Sequence, residues 1–223
     1  MRHHITPLLL VPVLAIAAPA IAREDTQYWQ TVTVNVALPS NFKIQNEAVL
    51  RTSDTRGFYE VENNFMVGKK LNKVVTVWLG YVFNPQYNHG TFTRREHRLR
   101  QQVNFDGFAV IGKVKLSGRI RMEERWREGL PGTAYRLRPQ LKASVPIAGK
   151  TTLSVSNETF INLNNTGFQT VDGLERMRNA IYVSVPLGKK FSVDFGYLNQ
   201  HSFVPNGPDN SDNVLTAGIT ANF

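Results

Sequence analysis

Apolar and polar side chains alternate at every second position in about eleven segments of roughly ten residues between Tyr28 and Phe223. Successive side chains of an extended chain point to opposite faces, so each segment presents one apolar and one polar face. Val75, Val77, Leu79, Tyr81 and Phe83, for example, oppose Thr76, Trp78 and Gly80. The stretch "GRIRMEERW", Gly118 to Trp126, tests this reading. Arg119 and Glu123, like Glu123 and Arg127, stand at the spacing of helical ion pairs. Extended back to Val114, however, the apolar set is Val114, Leu116, Gly118, Ile120 and Met122. Between these stand Lys115, Ser117, Arg119, Arg121 and Glu123. A helix would scatter both sets around its axis; a strand sorts them onto two faces.

Alternation alone also suits a soluble β-sandwich or a lipocalin-like barrel. Three features favour a closed antiparallel transmembrane β-barrel, an all-β fold of 10–12 strands. Segments of about ten residues exceed the usual five or six of soluble strands. The apolar faces end in aromatics (Tyr28, Phe42, Tyr59, Phe83, Phe105, Trp126, Tyr135, Phe191, Phe223), as interfacial girdles do. The last apolar position is Phe223 itself. Tight turns ("PSN", "KKLN", "DG", "AGK", "GKK") alternate with polar links over residues 52–57, 84–93, 127–134, 162–173 and 200–212. Short turns at one end and longer loops at the other are the pattern of outer-membrane barrels. Counting back from Phe223 gives ten strands with both ends at the turn side, and residues 27–38 form an eleventh of the wrong sense. Even numbers are the rule for bacterial single-chain barrels. Either residues 27–38 stand outside the wall, or the count is twelve.

Residues 1–22 read as a secretory signal peptide: Arg2, His3 and His4, then the apolar run Leu8–Ala18, then Ala20-Ile21-Ala22. Residues 23–223 form a single barrel domain placed in the bacterial outer membrane. No later apolar run is long enough for a transmembrane helix. The formal charge of +9 invites a nucleic-acid partner; export argues against one. There is no cysteine, which removes disulfides and thiol chemistry. The expected partners are outer-membrane lipid and lipopolysaccharide, the barrel-assembly machinery through the strand ending at Phe223, and small anionic solutes.

The stretches "REHRLRQQ", "GRIRMEERW", "YRLRPQL", "SNETFINLN", "DGLERMRN" and "FGYLNQ" occur in that order. The series resembles that of a small Gram-negative outer-membrane β-barrel family, a domain of unknown function, over nearly the whole chain from Trp29 to Phe223. The resemblance implies fold and location and no activity. The arginine-lined strands are similar in spirit to oligogalacturonate-type porins, by analogy and without a shared motif.

The polar faces are strongly basic. Arg98, Arg100, Arg119, Arg121, Arg125, Arg136, Arg138, Lys142, Arg176 and Arg178 face inward by parity, against Glu96, Glu123 and Glu158. Arg119, Arg121, Arg136 and Arg138 lie on neighbouring strands and should form a band. Guanidinium forks suit carboxylates and phosphates. The wall therefore points to a narrow anion-preferring channel or binding barrel. The alternative is a structural barrel plugged by ion pairs, in which Glu60 and Glu62 also find arginines. Catalysis has thinner support. Of His89, His97 and His201, only His97 lies on a strand, on its outward face, and no serine pairs with it. A lipid acyl hydrolase is thus a weak alternative, and no cofactor or metal site is expected.

Overall fold

Each alternating segment forms a strand, and most strands extend past their periodic cores. The computed structural model describes residues 23–223; the signal peptide expected over residues 1–22 lies outside the described residues. The strands are β1 (Arg23–Ala37), β2 (Phe42–Ser53), β3 (Gly57–Lys70), β4 (Val75–Asn88), β5 (Thr91–Ile111), β6 (Val114–Arg127), β7 (Ala134–Ala148), β8 (Thr151–Asn162), β9 (Gly173–Leu187), β10 (Phe191–Ser202) and β11 (Asn210–Asn222). They close into one barrel in sequence order.

The expected barrel is there, with one seam that differs from the expectation. Sequential strands pair antiparallel, but β1 closes on β11 in parallel, from Arg23 opposite Asn210 to Asn35 opposite Asn222 without a register shift. Neither ten nor twelve strands is the count. With an odd number of alternating strands, the first and last run the same way. A parallel ladder is then the one closure that pairs both edges. Ala37 N–H to the Phe223 carbonyl (2.7 Å) and Phe223 N–H to the Asn35 carbonyl (2.9 Å) extend the seam to the chain end. The start of β1 therefore lies at the same barrel end as the longer loops.

Connections of residues 38–41, 71–74, 112–113, 149–150 and 188–190 make the turn end. The loop end holds residues 54–56, 89–90, 128–133, 163–172 and 203–209. Two of the five links expected to be long are short: 52–57 is half strand around residues 54–56, and 84–93 is strand except for residues 89–90. The "DG" pair, Asp106-Gly107, is not a turn either: β5 runs through it to Ile111. The register with β6 shifts between Phe105 and Ala109, and Gly107 there has φ 61°. Its N–H donates to Ser117 Oγ at 3.0 Å. Aspartate–glycine serves a bulge here, which demands the same positive φ as a hairpin turn.

The outward face is apolar and exposed: Leu79 is 56% exposed, Phe195 59% and Leu215 54%. The inward face is charged and buried: Glu96, Arg100 and Glu123 are 0% exposed. Gly118, Ile120 and Met122 face out while Arg121 and Glu123 face in, as parity requires. Glu124 stands on the outward face and accepts from Gln101 Nε2 at 3.0 Å. Tyr59 corrects the expected aromatic girdle. Arg51 pairs with Glu60 and Thr52 with Phe58, so Tyr59 is the extra residue of a bulge. It is buried, and its hydroxyl donates to Gln27 Oε1 (2.6 Å) and accepts from Trp29 Nε1 (3.0 Å).

Candidate functional site: a guanidinium–carboxylate belt and the cavity above it

Two-residue spacing puts Glu96, Arg98 and Arg100 of β5, and Arg121, Glu123 and Arg125 of β6, on the inner face. The β5–β6 register then sets Arg100 opposite Glu123, Arg98 opposite Arg125 and Glu96 opposite Arg127. β7 adds Arg136 opposite Glu123 and Arg138 opposite Arg121. Two of these five pairs, Arg98–Arg125 and Arg138–Arg121, set like charges side by side, so carboxylates must bridge the strands.

Four carboxylates do so. Glu123 accepts from Arg100 Nε (2.7 Å), Arg136 Nη2 (2.6 Å) and Arg138 Nη1 (2.8 Å). Glu62 of β3 accepts from Arg98 Nη1 and Arg100 Nη2, both at 2.8 Å. Glu96 accepts from Arg98 Nε (2.6 Å), Arg125 Nε (2.9 Å) and Arg127 Nη2 (2.6 Å). Glu158 of β8 accepts from Arg138 Nη2 through both oxygens at 3.0 Å, pairs with Arg119, and lies 3.9 Å from Arg178. Arg51 pairs with Glu60. All five carboxylates that charge balance pointed to are used.

The remaining expected residues divide. Arg176 pairs with Glu175 at 2.9 Å near the loop end. Arg178 donates from Nε to Gln200 Oε1 at 2.8 Å. Arg119, Arg121, Arg136 and Arg138 do form a band across β6 and β7, but among the described residues Arg121 bonds only to Gln102 Oε1, at 2.6 Å. Lys142 is half-buried and makes no ion pair among the described residues.

Above the belt, toward the loops, lies a cavity of about 470 Å³. Nine arginines line it: Arg51, Arg56, Arg98, Arg125, Arg127, Arg136, Arg138, Arg176 and Arg178. Five acids share it: Asp25, Glu60, Glu62, Glu175 and Asp212. Aromatic faces hold several guanidinium planes in place. Arg51 and Arg178 sit 4.1 and 4.8 Å from the Trp29 ring, and Arg138 and Arg178 sit 4.2 and 4.7 Å from that of Phe160. The loop of residues 163–172 folds inward over one side. Gln169 is buried there, accepts from Arg125 Nη1 (2.9 Å) and donates to the Asn164 carbonyl (2.8 Å). The Phe168 ring lies 4.8 Å from the Arg127 guanidinium carbon.

Sequence reasoning passed over Trp29, Arg51, Phe160, Glu175, Gln200 and the Phe168-Gln169 pair as site residues. Parity carried the signal for Trp29, Arg51 and Phe160, each an even number of residues from others on the inward face of its strand, such as Gln27, Val49 and Glu158. A loop has no period, so nothing local marks Phe168 and Gln169.

His97 faces outward, where its Nδ1 is hydrogen-bonded to the Tyr81 hydroxyl and its ring lies 5.7 Å from that of Phe83. Neither a serine nor a carboxylate is bonded to it among the described residues. His201 lies in β10 and not in a loop as expected, and its Nε2 meets Asp209 Oδ2 of the loop before β11 at 2.9 Å. The Val204 N–H (3.0 Å to Oδ1), helped by His201, holds the Asp209 carboxyl below its ordinary value. No group of three or more metal-ligating side chains occurs among the described residues.

An uncharacterized protein of Methylorubrum extorquens is 27% identical over 233 residues, with both chains covered in full. No solved structure matches. A family described as a protein of unknown function, DUF2490, matches residues 26–212, which hold every member of the belt, and the chain belongs to that family.

Proposed function

We propose that this chain is an exported outer-membrane barrel that binds small, multiply charged anions at its loop end, above a lumen closed by the ion-pair belt. The observation that carries the reading is the loop-end cavity, where nine arginines meet five acids. Glu96 and Glu123 are each shared among three guanidiniums, and a carboxylate- or phosphate-bearing solute adds negative charge there and matches the guanidinium fork. The membrane part rests on the inversion of faces. An apolar outer wall and a charged buried interior are stable when hydrocarbon replaces water outside. Outer-membrane lipid and lipopolysaccharide are then its surroundings. The strand ending at Phe223, whose ring packs edge-on to Phe191 at 6.3 Å, is the end offered to the assembly machinery.

A binding barrel is favoured over an open anion channel because Glu62, Glu96, Glu123 and Glu158 already bridge arginines of several strands across the interior. A hydrolase reading lacks support at His97, whose recorded partner is a tyrosine.

Calorimetric titration of the purified barrel with citrate or tripolyphosphate is expected to show saturable binding. Arg127→Gln combined with Arg176→Gln should weaken it about tenfold or more, from the loss of charge-assisted bonds. Unchanged affinity would remove the anion site from this cavity. In planar bilayers the wild type should give no conductance steps; anion-selective steps would overturn the closed lumen.

Location is tested separately. The chain lacks cysteine, so Gly129→Cys in a loop and Gly149→Cys in a turn give clean single labels. A membrane-impermeant maleimide on intact cells should modify the first and spare the second. Labelling of the second alone would reverse the orientation, and labelling of neither would contradict surface exposure.

A further inference from the structure

Arg121 is the exception in the belt. It is 6% exposed, and its bond to Gln102 is its one polar contact among the described residues. No carboxylate lies within ion-pair distance of it among the described residues. Arg138 stands directly opposite it on β7, and Arg119 precedes it by two residues on the same face of β6. Glu123 is already committed to Arg100, Arg136 and Arg138. A guanidinium does not shed its proton in a protein. Burial therefore leaves one positive charge among others, an arrangement that is costly unless a counter-charge is present.

Unused donors gather at the same place. Trp78, Gln102, Arg121 and Arg138 occupy one hydrogen-bonded row across β4, β5, β6 and β7. The Trp78 indole N–H, Arg100 Nη1 and Arg138 Nε are buried without an acceptor among the described residues. Arg100 is the neighbour of Gln102 on the same face of β5. Donors from three strands thus lie in or next to the row of Arg121, with no acceptor to receive them among the described residues. Arg121 does not line the loop-end cavity. It belongs to the turn side of the belt, where the inward residues Asn104, Ser117 and Gln140 are half-buried and not sealed.

We propose that Arg121, Arg100 and Trp78 form a second anion site, separate from the loop-end cavity, for a small monovalent inorganic anion of the halide class. One negative charge is what Arg121 lacks, and a halide accepts from several N–H groups without presenting donors of its own. The bound ion is a structural counter-ion for Arg121, which shares its row with Arg138 and has Arg119 and Arg100 one inward step to either side.

The test is thermal unfolding of the purified barrel at constant ionic strength, with chloride or bromide exchanged for gluconate. Halide is expected to raise the midpoint by about 3 °C or more at saturation. Gln102→Glu places a carboxylate at the atom Arg121 already contacts, with almost no change of shape. That variant should lose the halide response and melt in gluconate at or above the wild-type midpoint in chloride. Arg121→Met should lose the response as well, and if it does not fold, Gln102→Glu still decides. Bromide-soaked crystals should show an anomalous peak beside the Arg121 guanidinium. Equal wild-type midpoints in halide and gluconate, or a full halide response in Gln102→Glu, would overturn the site.

Discussion

Glu123→Ala is expected to abolish the folded barrel or lower its stability more than any other single change in the belt. The carboxylate is 0% exposed and accepts from Arg100, Arg136 and Arg138 at 2.6–2.8 Å. Removing one partner of a buried pair costs about 3–5 kcal/mol, because the other charge stays buried and uncompensated. Here three guanidiniums are left at once, so the loss is a large share of the roughly 5–15 kcal/mol that holds an ordinary domain together. Glu123→Gln keeps the volume and removes the charge, which separates electrostatics from the cavity left by alanine. The measurement is heat-dependent gel migration together with urea unfolding in detergent. The exposed pair Arg95–Glu128 is the internal comparison: at 3.4 Å, with side chains about half exposed, it should contribute roughly 0–1 kcal/mol. If Glu123→Ala and Glu128→Ala unfold alike, the belt does not hold the barrel together.

Deleting residues 23–38 should be comparably severe, although ten antiparallel strands remain and ten is an even number. Removal of β1 strips hydrogen bonds from both β2 and β11 along their lengths. Closing the gap would require those two edges to approach across the width of one strand, about 4.8 Å, and every inward side chain to repack. Trp29 is the main loss. It is 7% exposed, it packs with Val49 and Val214, and Arg51 and Arg178 rest on its ring. Trp29→Ala alone should cost about 3–5 kcal/mol. A truncated chain that migrates as a compact, heat-modifiable barrel would show that β1 is an accessory to the wall. Failure to refold, with the full chain refolding under the same conditions, is the expected result.

The two variants probe features that differed in how far they could be read in advance. Glu123 and its arginines were legible because parity is local. Once the strand is recognised at Val114–Met122, the side of each residue follows from the pleat. Tyr59 was misassigned because a single bulge residue breaks that parity, and the bulge depends on the pairing with β2 and not on the residues around Tyr59. Asp106-Gly107 misled for a related reason. Both a hairpin turn and a bulge need glycine at positive φ, and only the partner strand separates them.

The sequence by itself determined which residues face in and which face out wherever a strand runs without a bulge, because a period of two is a property of the extended backbone and needs no partner. It also determined that the inward face carries more arginine than acid. The tertiary structure decided three things. It decided the parallel seam, because direction at closure is set by the number of strands and leaves no mark on any one of them. It decided which arginine meets which carboxylate, because those contacts depend on register between strands far apart in the chain. And it left Arg121 without a carboxylate, because the nearest one, Glu123, is drawn to Arg100, Arg136 and Arg138 by a geometry that no spacing along a single strand records.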